Sequence, residues 1–230
     1  MQFTYILGAL DEEIDGVRAA LTNVRTEKAG AFPLWRGSYA GKDVLLGRCG
    51  VGKSNAAAAT AAALTAYPAI ARVINTGVAG GLGGVRRGEV VLGTRTVHHD
   101  FDATADGKRK GQIEGFDSEF FDADPLLLRE MESALQEEKI AYRRGIIASG
   151  DQFIANKATA LRIAEEFGAS ACEMESASVA QVCALFGVPF LALRAVSDDG
   201  GDGAVESFYA FLHAAAANNA RALLRFLRKE

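Results

Sequence analysis

The sequence predicts a single α/β domain, a three-layer α/β/α sandwich whose central sheet is mixed and mainly parallel. Strand-like and helix-like patterns alternate along almost all of the 230 residues, and no linker or internal repeat interrupts them. Several predicted strands are continuous apolar runs, which is typical of a sheet covered on both faces. Glycine is frequent, with 25 residues, and proline is scarce, with 4, which suits many tight turns between strands and helices. We therefore expect residues 1–230 to form one domain.

In the first half of the chain, short apolar runs predict strands and polar residues mark where helices begin. Gly41 and Lys42 form a turn between two strands that we expect to pair. Ser54 and Asn55 begin an Ala-rich helix, which ends before Pro68. The predicted strands are Phe3–Leu7, Leu34–Tyr39, Asp43–Arg48, Ile70–Asn75 and Glu89–Val97, the last with a bulge or turn at Gly93, and the predicted helices are Glu12–Leu21 and Asn55–Ala66.

The second half of the chain begins with a long polar segment, residues 98–124, that has no clear period. Loops of this length in compact domains often cover a site or face a partner. Pro125 suits the first position of the helix that follows, and Gly187 and Pro189 end a later one. The predicted helices are Pro125–Glu138, Ala158–Phe167, Ser176–Phe186 and Ser207–Arg228, and the predicted strands are Arg143–Ser149, Ala169–Cys172 and Phe190–Val196.

Composition and charge exclude several classes of function. The net charge of −4 gives no electrostatic basis for binding nucleic acid or an anionic membrane. The N-terminus lacks the pattern of a signal peptide, and no apolar run approaches the roughly 20 residues that span a bilayer. Cys49, Cys172 and Cys183 lie in apolar surroundings without the spacing of a metal site. We therefore expect a cytoplasmic protein with reduced thiols.

Two acidic segments follow predicted buried strands. Glu173 and Glu175 come directly after one strand, and Asp198 comes at the end of another. An ionised carboxyl is costly to bury unless it is paired or used, and ligands of open α/β sheets bind at the carboxyl ends of the strands. A site that holds Glu175 and Asp198 together is one interpretation. Ion-paired residues in surface loops are the other.

Residues 47–54 match the phosphate-loop pattern G-x-x-x-x-G-K-[ST] and lie between a predicted strand and a predicted helix. Taken alone, this pattern indicates binding of a nucleoside triphosphate through backbone N–H groups and Lys53. The match follows the third predicted strand rather than the first. No later strand ends in an acid suited to hold magnesium beside it, since Asp198 is preceded by Arg194. These observations favour a role for this turn other than binding a nucleoside triphosphate.

Seven short segments, spread in order from the first strand to the last, resemble motifs of one family. They are Gly8–Glu13, Gly50–Lys53, Asn75–Leu82, His99–Asp102, Ser149–Ile154, Glu173–Glu175 and Arg194–Asp198. Together they resemble the 5′-methylthioadenosine/S-adenosylhomocysteine nucleosidases of the nucleoside phosphorylase/hydrolase superfamily. This resemblance implies a nucleoside phosphorylase-like fold and hydrolysis of the N-glycosidic bond of an adenine nucleoside. It also implies a homodimer, with part of the partner near the 5′ pocket, and no metal or organic cofactor.

The resemblance implies a role for each of four charged residues. Asp198 is similar to the general acid that protonates N7 of adenine, and burial, helped by Asp199, is expected to raise its pKa. Glu13 is similar to the carboxylate that activates water, and Glu175 to the residue that accepts hydrogen bonds from the ribose hydroxyls. Arg194 resembles an arginine close to the water-binding carboxylate, although a purely structural pairing with an acid would also explain it.

The same resemblance implies a set of substrate-binding residues. Phe153 and Ile154 match the segment that holds adenine, Met174 the residue on the ribose face, and Phe208 the aromatic ring that closes the 5′ end. Val78 stands where many members have serine. The remaining residues of this set are Leu10, which replaces a common methionine, Ala79, Gly80 and Ser197. His98 and His99 are expected to serve structure or a subunit contact.

Three alternatives remain beside the hydrolase. A purine nucleoside phosphorylase would surround its phosphate with cations and N–H groups, whereas the first loop here carries Asp11, Glu12 and Glu13. An aminofutalosine-type nucleosidase would share the chemistry and differ at the 5′ group, near the segment 102–121. A binding module without catalysis would not need all three carboxylates.

Overall fold

Ten strands form one mixed sheet in the computed structural model, which describes residues 2–198, 200–201 and 203–229. The strands are β1 (Phe3–Gly8), β2 (Thr22–Ala29), β3 (Phe32–Tyr39), β4 (Lys42–Arg48), β5 (Ile70–Gly81), β6 (Val90–His98), β7 (Phe120–Asp122), β8 (Tyr142–Ser149), β9 (Ala169–Glu173) and β10 (Phe190–Asp198). The helices are α1 (Asp11–Ala20), α2 (Lys53–Ala66), α3 (Pro125–Glu137), α4 (Lys157–Phe167), α5 (Ser176–Phe186) and α6 (Ala204–Lys229).

The strand order is β10-β6-β8-β9-β5-β1-β4-β3-β2, with β7 on β6. Strand β10 also pairs with β5, so β5, β10, β6, β8 and β9 close into a ring. Parallel pairing of β1 with β4 and β5, and of β5 with β10, brings the carboxyl ends of these strands to one edge. The antiparallel pair of β9 with β5 places Cys172 opposite Gly80 at the same edge. Ligands of α/β folds bind at such an edge.

Helices cover both faces of the sheet, which confirms the predicted three layers. On one face α1, α3 and α6 pack together over a core that includes Ile14, Met131 and Phe226. On the other face α2 and α5 pack against each other and contribute Ala56 and Val179 to a second core. Helix α4 covers β8 and β9. Close contact between α2 and the sheet suits its Ala-rich sequence, because small side chains let the backbones approach.

The structure adds elements that the apolar pattern did not predict. Strand β2 is an edge strand with exposed polar side chains, so it lacks an apolar run. Strand β5 continues six residues past the predicted end at Asn75, because polar and small residues there are paired by β10. Strand β7 and a short 3-10 helix, Thr104–Asp106, lie in the segment expected to be a loop. The predicted irregularity at Gly93 is confirmed, since the β6–β8 register shifts between Gly93 and Arg95.

None of the helices in the described ranges has the length and apolar character needed to cross a membrane.

Candidate active site

A cavity of about 620 Å³ opens at the carboxyl ends of β1, β5, β9 and β10, beside the first turns of α6. Its lining combines carboxylates with apolar and aromatic side chains, as small-molecule sites do. The following predicted site residues line it: Leu10, Glu13, Val78, Ala79, Gly80, Phe153, Ile154, Met174, Glu175, Asp198 and Phe208. Segments far apart in the sequence therefore meet where the sequence predicted a site.

Glu13 is held at the floor of the cavity by three backbone N–H groups. It lies in the first turn of α1, with 3% of its surface exposed. Its Oε2 accepts hydrogen bonds from the N–H groups of Ala9 (2.7 Å) and Leu10 (3.0 Å), and its Oε1 accepts one from Val78 (2.9 Å). Burial raises the pKa of Glu13, while Arg194 and these N–H groups oppose the rise. The carboxyl is thus fixed in position and suited to act as a base.

Gly77 gives Arg194 and Glu13 access to the backbone of β5. A Cβ added at Gly77 would overlap both the guanidinium of Arg194 and the carboxyl of Glu13. A glycine at this point of the strand therefore serves close approach rather than an unusual backbone angle.

Glu175 precedes α5 and is 4% exposed. The N–H of Gly52 donates a hydrogen bond of 2.9 Å to its Oε1, and Nη2 of Arg194 lies 3.6 Å from its Oε2. Burial and then repulsion from Glu173 raise the pKa of Glu175 to about 8, against the attraction of Arg194. Burial therefore favours the neutral form of this carboxyl.

Arg194 is not among the residues that line the cavity, and its side chain is fully buried. Its Nη2 forms an ion pair with Glu173 and a hydrogen bond to Asn75 Oδ1, and its Nε donates to Ser176 Oγ at 3.1 Å. The sequence interpretation placed Arg194 among the catalytic residues. In the structure it lies behind the cavity, because β10 directs it into the protein. In these contacts Arg194 balances the buried negative charge of Glu173 and Glu175.

Glu173 anchors the segment that carries Glu175. It accepts hydrogen bonds from the N–H groups of Glu175 (3.1 Å) and Ser176 (3.0 Å) and from the hydroxyl of Ser149. These bonds satisfy N–H groups at the start of α5 that have no partner within the helix. The sequence singled out Glu173 as a strand-end acid, and its role here is to orient its neighbour.

Asp198 ends β10, lines the cavity and is 3% exposed. Its Oδ2 accepts a hydrogen bond from Ser197 Oγ (2.8 Å), and its Oδ1 accepts one from the N–H of Gly200 (2.9 Å). Ser197, predicted to bind substrate, does not line the cavity and instead contacts Asp198. Burial, with a further contribution from Asp198, raises the pKa of the neighbouring Cys172 thiol to about 12, so this thiol stays neutral. The expected influence of Asp199 falls outside the described residues.

Aromatic side chains form the outer wall. Phe153 contacts Phe208 edge to face, with ring centroids 5.7 Å apart, and Phe208 contacts Tyr209 in the same way at 5.3 Å. Phe153 remains 42% exposed, so one face of the ring is open to a ligand. This wall can hold a flat, apolar group such as a heterocyclic base.

The phosphate-loop pattern is engaged by carboxylates of the protein. The N–H of Gly52 donates to Glu175, and the N–H of Lys53 donates to Asp151 Oδ1 at 2.8 Å. The ammonium of Lys53 pairs with Asp100, which also accepts a hydrogen bond from the N–H of Asp151. The groups that would hold a phosphate instead connect the loop before α2 to three other loops, which carry Glu175, Asp151 and Asp100.

Comparison with known proteins gives the family. The model of the phosphorylase superfamily matches residues 4–228. A 5′-methylthioadenosine/S-adenosylhomocysteine nucleosidase of Bacillus pumilus is 37% identical over 226 residues, which is 97% of each chain. The chain belongs to this nucleosidase family of the phosphorylase superfamily.

Solved structures agree with this assignment. The nucleosidase of Neisseria meningitidis, in complex with methylthio-immucillin-A, is 38% identical and superposes with a TM-score of 0.96 over 100% of both chains. Futalosine hydrolase of Helicobacter pylori is 31% identical, with a TM-score of 0.94, and covers 100% of this chain and 98% of its own. One backbone therefore serves nucleosidases whose names differ in the nucleoside.

Within the nucleosidase family fold, sequence reasoning missed part of the lining. Four of the missed residues lie on α6: Val205, Tyr209, Leu212 and His213. Val205 and Leu212 stand three residues before and four after Phe208, so helical spacing from that motif residue could have found them. Val51 and Gln152 also line the cavity and lie within motif segments, and Cys172 lines it directly before one. His98 and His99 are not among the lining residues, and His98 Nε2 lies 3.0 Å from Gln181 Oε1.

Proposed function

We propose that the protein hydrolyses the N-glycosidic bond of 5′-methylthioadenosine, S-adenosylhomocysteine and related adenine nucleosides. The products are adenine and a 5-substituted ribose. One observation carries the proposal: Glu13, Glu175 and Asp198 are buried around one cavity that has an aromatic wall. The names of the related nucleosidases from Bacillus pumilus and Neisseria meningitidis support the substrate class.

The reaction needs an acid for the departing base. Adenine leaves as the bond between C1′ and N9 breaks, and a proton delivered to N7 makes it a better leaving group. Asp198 is suited to this role because it is a buried carboxyl that lines the same cavity as the adenine-binding candidates Phe153 and Ile154. The hydroxyl of Ser197 and the N–H of Gly200 fix its orientation.

The sugar that remains is oxocarbenium-like, and water must attack its C1′. Glu13, oriented by three N–H groups, accepts a proton from that water as the new C–O bond forms. Glu175 accepts hydrogen bonds from the ribose hydroxyls and opposes the positive charge of the sugar. Binding of these donors favours the ionised form of Glu175 and therefore lowers its pKa.

Phosphorolysis is the competing reaction of the superfamily. A phosphate nucleophile would need cations near C1′. None of the described residues that line the cavity is a lysine or an arginine, and the carboxylates there would repel phosphate. Water is therefore the better nucleophile for this site.

The choice of 5′ group belongs to the outer part of the cavity, where Phe208, Tyr209, Leu212 and His213 of α6 meet. Methylthio and homocysteinyl groups both have an apolar thioether that suits the first three side chains. An aminofutalosine-type substrate is the second candidate, because futalosine hydrolase of Helicobacter pylori has nearly the same backbone.

We also propose that the protein works as a homodimer in the cytoplasm, with the partner beside the 5′ end of the cavity. Phe153, Val205 and Tyr209 expose large apolar surfaces around this cavity, and a second subunit would cover them. Cys49, Cys172 and Cys183 are buried free thiols, as is usual in a reducing compartment.

Product analysis tests the proposed reaction. Purified protein is incubated with 5′-methylthioadenosine, with and without inorganic phosphate, and the products are separated by chromatography. The proposal predicts adenine and free methylthioribose at a rate that phosphate does not change. Release that requires phosphate and yields the sugar 1-phosphate would establish the phosphorylase instead. Cleavage of aminofutalosine alone would establish the second candidate.

A further inference from the structure

One peptide group is hydrogen-bonded at both ends beside the proposed base. The N–H of Val78 donates to Oε1 of Glu13 at 2.9 Å. The carbonyl of Gly77, which belongs to the same peptide group, accepts a hydrogen bond of 2.7 Å from Nδ2 of Asn219. Asn219 is thus connected to Glu13 through a single planar group, although Asn219 and Gly77 are 142 residues apart in the sequence.

Asn219 is an unusual residue at its position. It lies among the buried apolar residues of α6, on the face that packs on the sheet, and is 0% exposed. The carbonyl of Leu193 is a second acceptor, 3.4 Å from Nδ2. Both acceptors belong to strands, so the N–H groups of the amide are directed toward the sheet. In the described part of the chain its Oδ1 accepts no hydrogen bond. A buried acceptor without a partner is destabilising, and a leucine would avoid that cost.

We propose that Asn219 is a positioning residue for Glu13 and acts through the peptide group between Gly77 and Val78. This inference rests on the proposed role of Glu13 in activating water. A hydrogen bond to the carbonyl fixes the plane of the peptide and polarises it, which strengthens the bond that its N–H donates to the carboxyl. Gly77 has no Cβ to restrict this plane, so the restraint must come from outside the strand.

The size of the effect is bounded by other contacts. Gly77 pairs with Arg194 in the β5–β10 ladder, so removal of the Asn219 side chain loosens the peptide without freeing it. Glu13 also keeps its bonds to the N–H groups of Ala9 and Leu10. The charged and titratable groups around Glu13 are Arg194 of β10, Glu175 before α5 and the thiol of Cys49 after β4. A substitution at Asn219 leaves all of them in place.

The test compares Asn219→Leu with Asn218→Leu. Asn218 is the adjacent residue of α6 and also donates from Nδ2 to a glycine carbonyl, that of Gly88, at 3.2 Å. Gly88 does not line the cavity. The control therefore removes the same type of hydrogen bond from the same helix at a place outside the site. The readouts are kcat, KM and the pH dependence of kcat for adenine release from 5′-methylthioadenosine, because kcat reports the substrate complex, in which the ribose hydroxyls favour ionised Glu175.

For Asn219→Leu we expect kcat to fall about tenfold, the equivalent of ~1.4 kcal/mol, with KM nearly unchanged. The bond from Val78 favours the ionised form of Glu13, so weakening it raises the pKa of Glu13 and moves the acidic limb of kcat to higher pH. We expect a shift of about half a pH unit. Asn218→Leu should change neither quantity.

A double-mutant cycle separates positioning from general stability. If Asn219 acts through Glu13, Asn219→Leu should cause no further loss of single-turnover rate in a Glu13→Gln background. An equal loss in both backgrounds, or a lower kcat without a shift of the acidic limb, would overturn the proposal. Should the leucine variant fail to fold, Asn219→Ser is measured by the same criteria. A wild-type protein that releases no adenine would reject the proposed function itself, a result distinct from either outcome for Asn219.

Discussion

The backbone N–H of Gly52 donates a hydrogen bond of 2.9 Å to Oε1 of Glu175, although 123 residues separate them. A turn that matches a nucleotide-binding pattern letter for letter is therefore occupied by a carboxylate of the same chain. The ammonium of Lys53 is likewise paired, with Asp100. A phosphate group would have to displace both acids and would meet their negative charge.

MgATP is accordingly expected not to bind. At concentrations of MgATP up to the millimolar range, we expect no saturable heat in titration calorimetry and no change in the melting temperature. 5′-Methylthioadenosine serves as the positive control, since a ligand of the folded state raises the melting temperature. Saturable binding of MgATP that is lost in Lys53→Met would restore the phosphate-loop interpretation.

Glu175→Gln should stabilise the protein at alkaline pH. The pKa of Glu175 is raised from 4.5 to about 8 in the folded protein, chiefly by burial. A raised carboxyl pKa contributes stability that is fully present below the unfolded-state value of 4.5 and is lost as the pH rises through 8. Glutamine is neutral at every pH and avoids that loss. At pH 9 we expect a melting temperature higher by about 3 °C, which is equivalent to ~1 kcal/mol for a domain of this size.

The gain should disappear toward pH 5, where Glu175 is protonated in the folded wild type. Glu165→Gln, on the exposed side of α4, is the matched control and should show no such trend. A Glu175→Gln variant that melts lower than the wild type from pH 5 to pH 9 would show that the ionised carboxyl stabilises the fold. Activity should fall in the same variant, because glutamine opposes the sugar cation less than a carboxylate does.

Val78→Ser should change kcat/KM for 5′-methylthioadenosine by less than tenfold. The contact of Val78 with Glu13 is made by its backbone N–H, which serine retains. The side chain lines the cavity, so a hydroxyl would add at most one hydrogen bond to the ribose or to water, worth about 0.5–1.5 kcal/mol. Steady-state kinetics measures the change in kcat/KM. Val51→Ser, a substitution of another residue that lines the same cavity, is the control. A larger change would mean that the serine common in the family has a role that valine here does not fulfil.

Phe153→Ala should raise KM for 5′-methylthioadenosine by at least about tenfold, because base–aromatic stacking contributes roughly 1–3 kcal/mol. The effect on kcat should be smaller, since stacking acts in the ground state and in the transition state alike. Phe211→Ala is a matched control: Phe211 is also 42% exposed, but it contacts Arg87 and does not line the cavity. Equal KM values for the wild type and Phe153→Ala would remove Phe153 from the adenine site.

The sequence predicted the alternation of elements and most of the site, because apolar runs and motif residues are local signals. It missed β2, whose side chains are exposed and polar, and the second half of β5 beyond Asn75, where small and polar residues are paired by β10. Such pairings depend on tertiary structure and leave no local pattern.

The positions of Arg194 and Asn219 also depend on tertiary structure and could not be predicted from the sequence. A motif indicated that Arg194 is near the base, yet only the course of β10 shows that it lies behind the cavity. Asn219 stands in no motif, and its bond to Gly77 joins segments that the sequence gives no reason to connect. The phosphate-loop pattern was ambiguous because a sequence pattern does not show which acceptors its N–H groups bind.

The most direct test of the central claim is the rate of adenine release by Asp198→Asn under single-turnover conditions, with 5′-methylthioadenosine affinity measured by calorimetry. Asparagine keeps the shape of the side chain but has no proton to give to N7. The account predicts a rate lower by about 10²–10⁴-fold, the usual range for loss of a general acid, with affinity within tenfold of the wild type. A variant that binds 5′-methylthioadenosine and releases adenine at the wild-type rate would contradict acid-assisted departure of the base at this site.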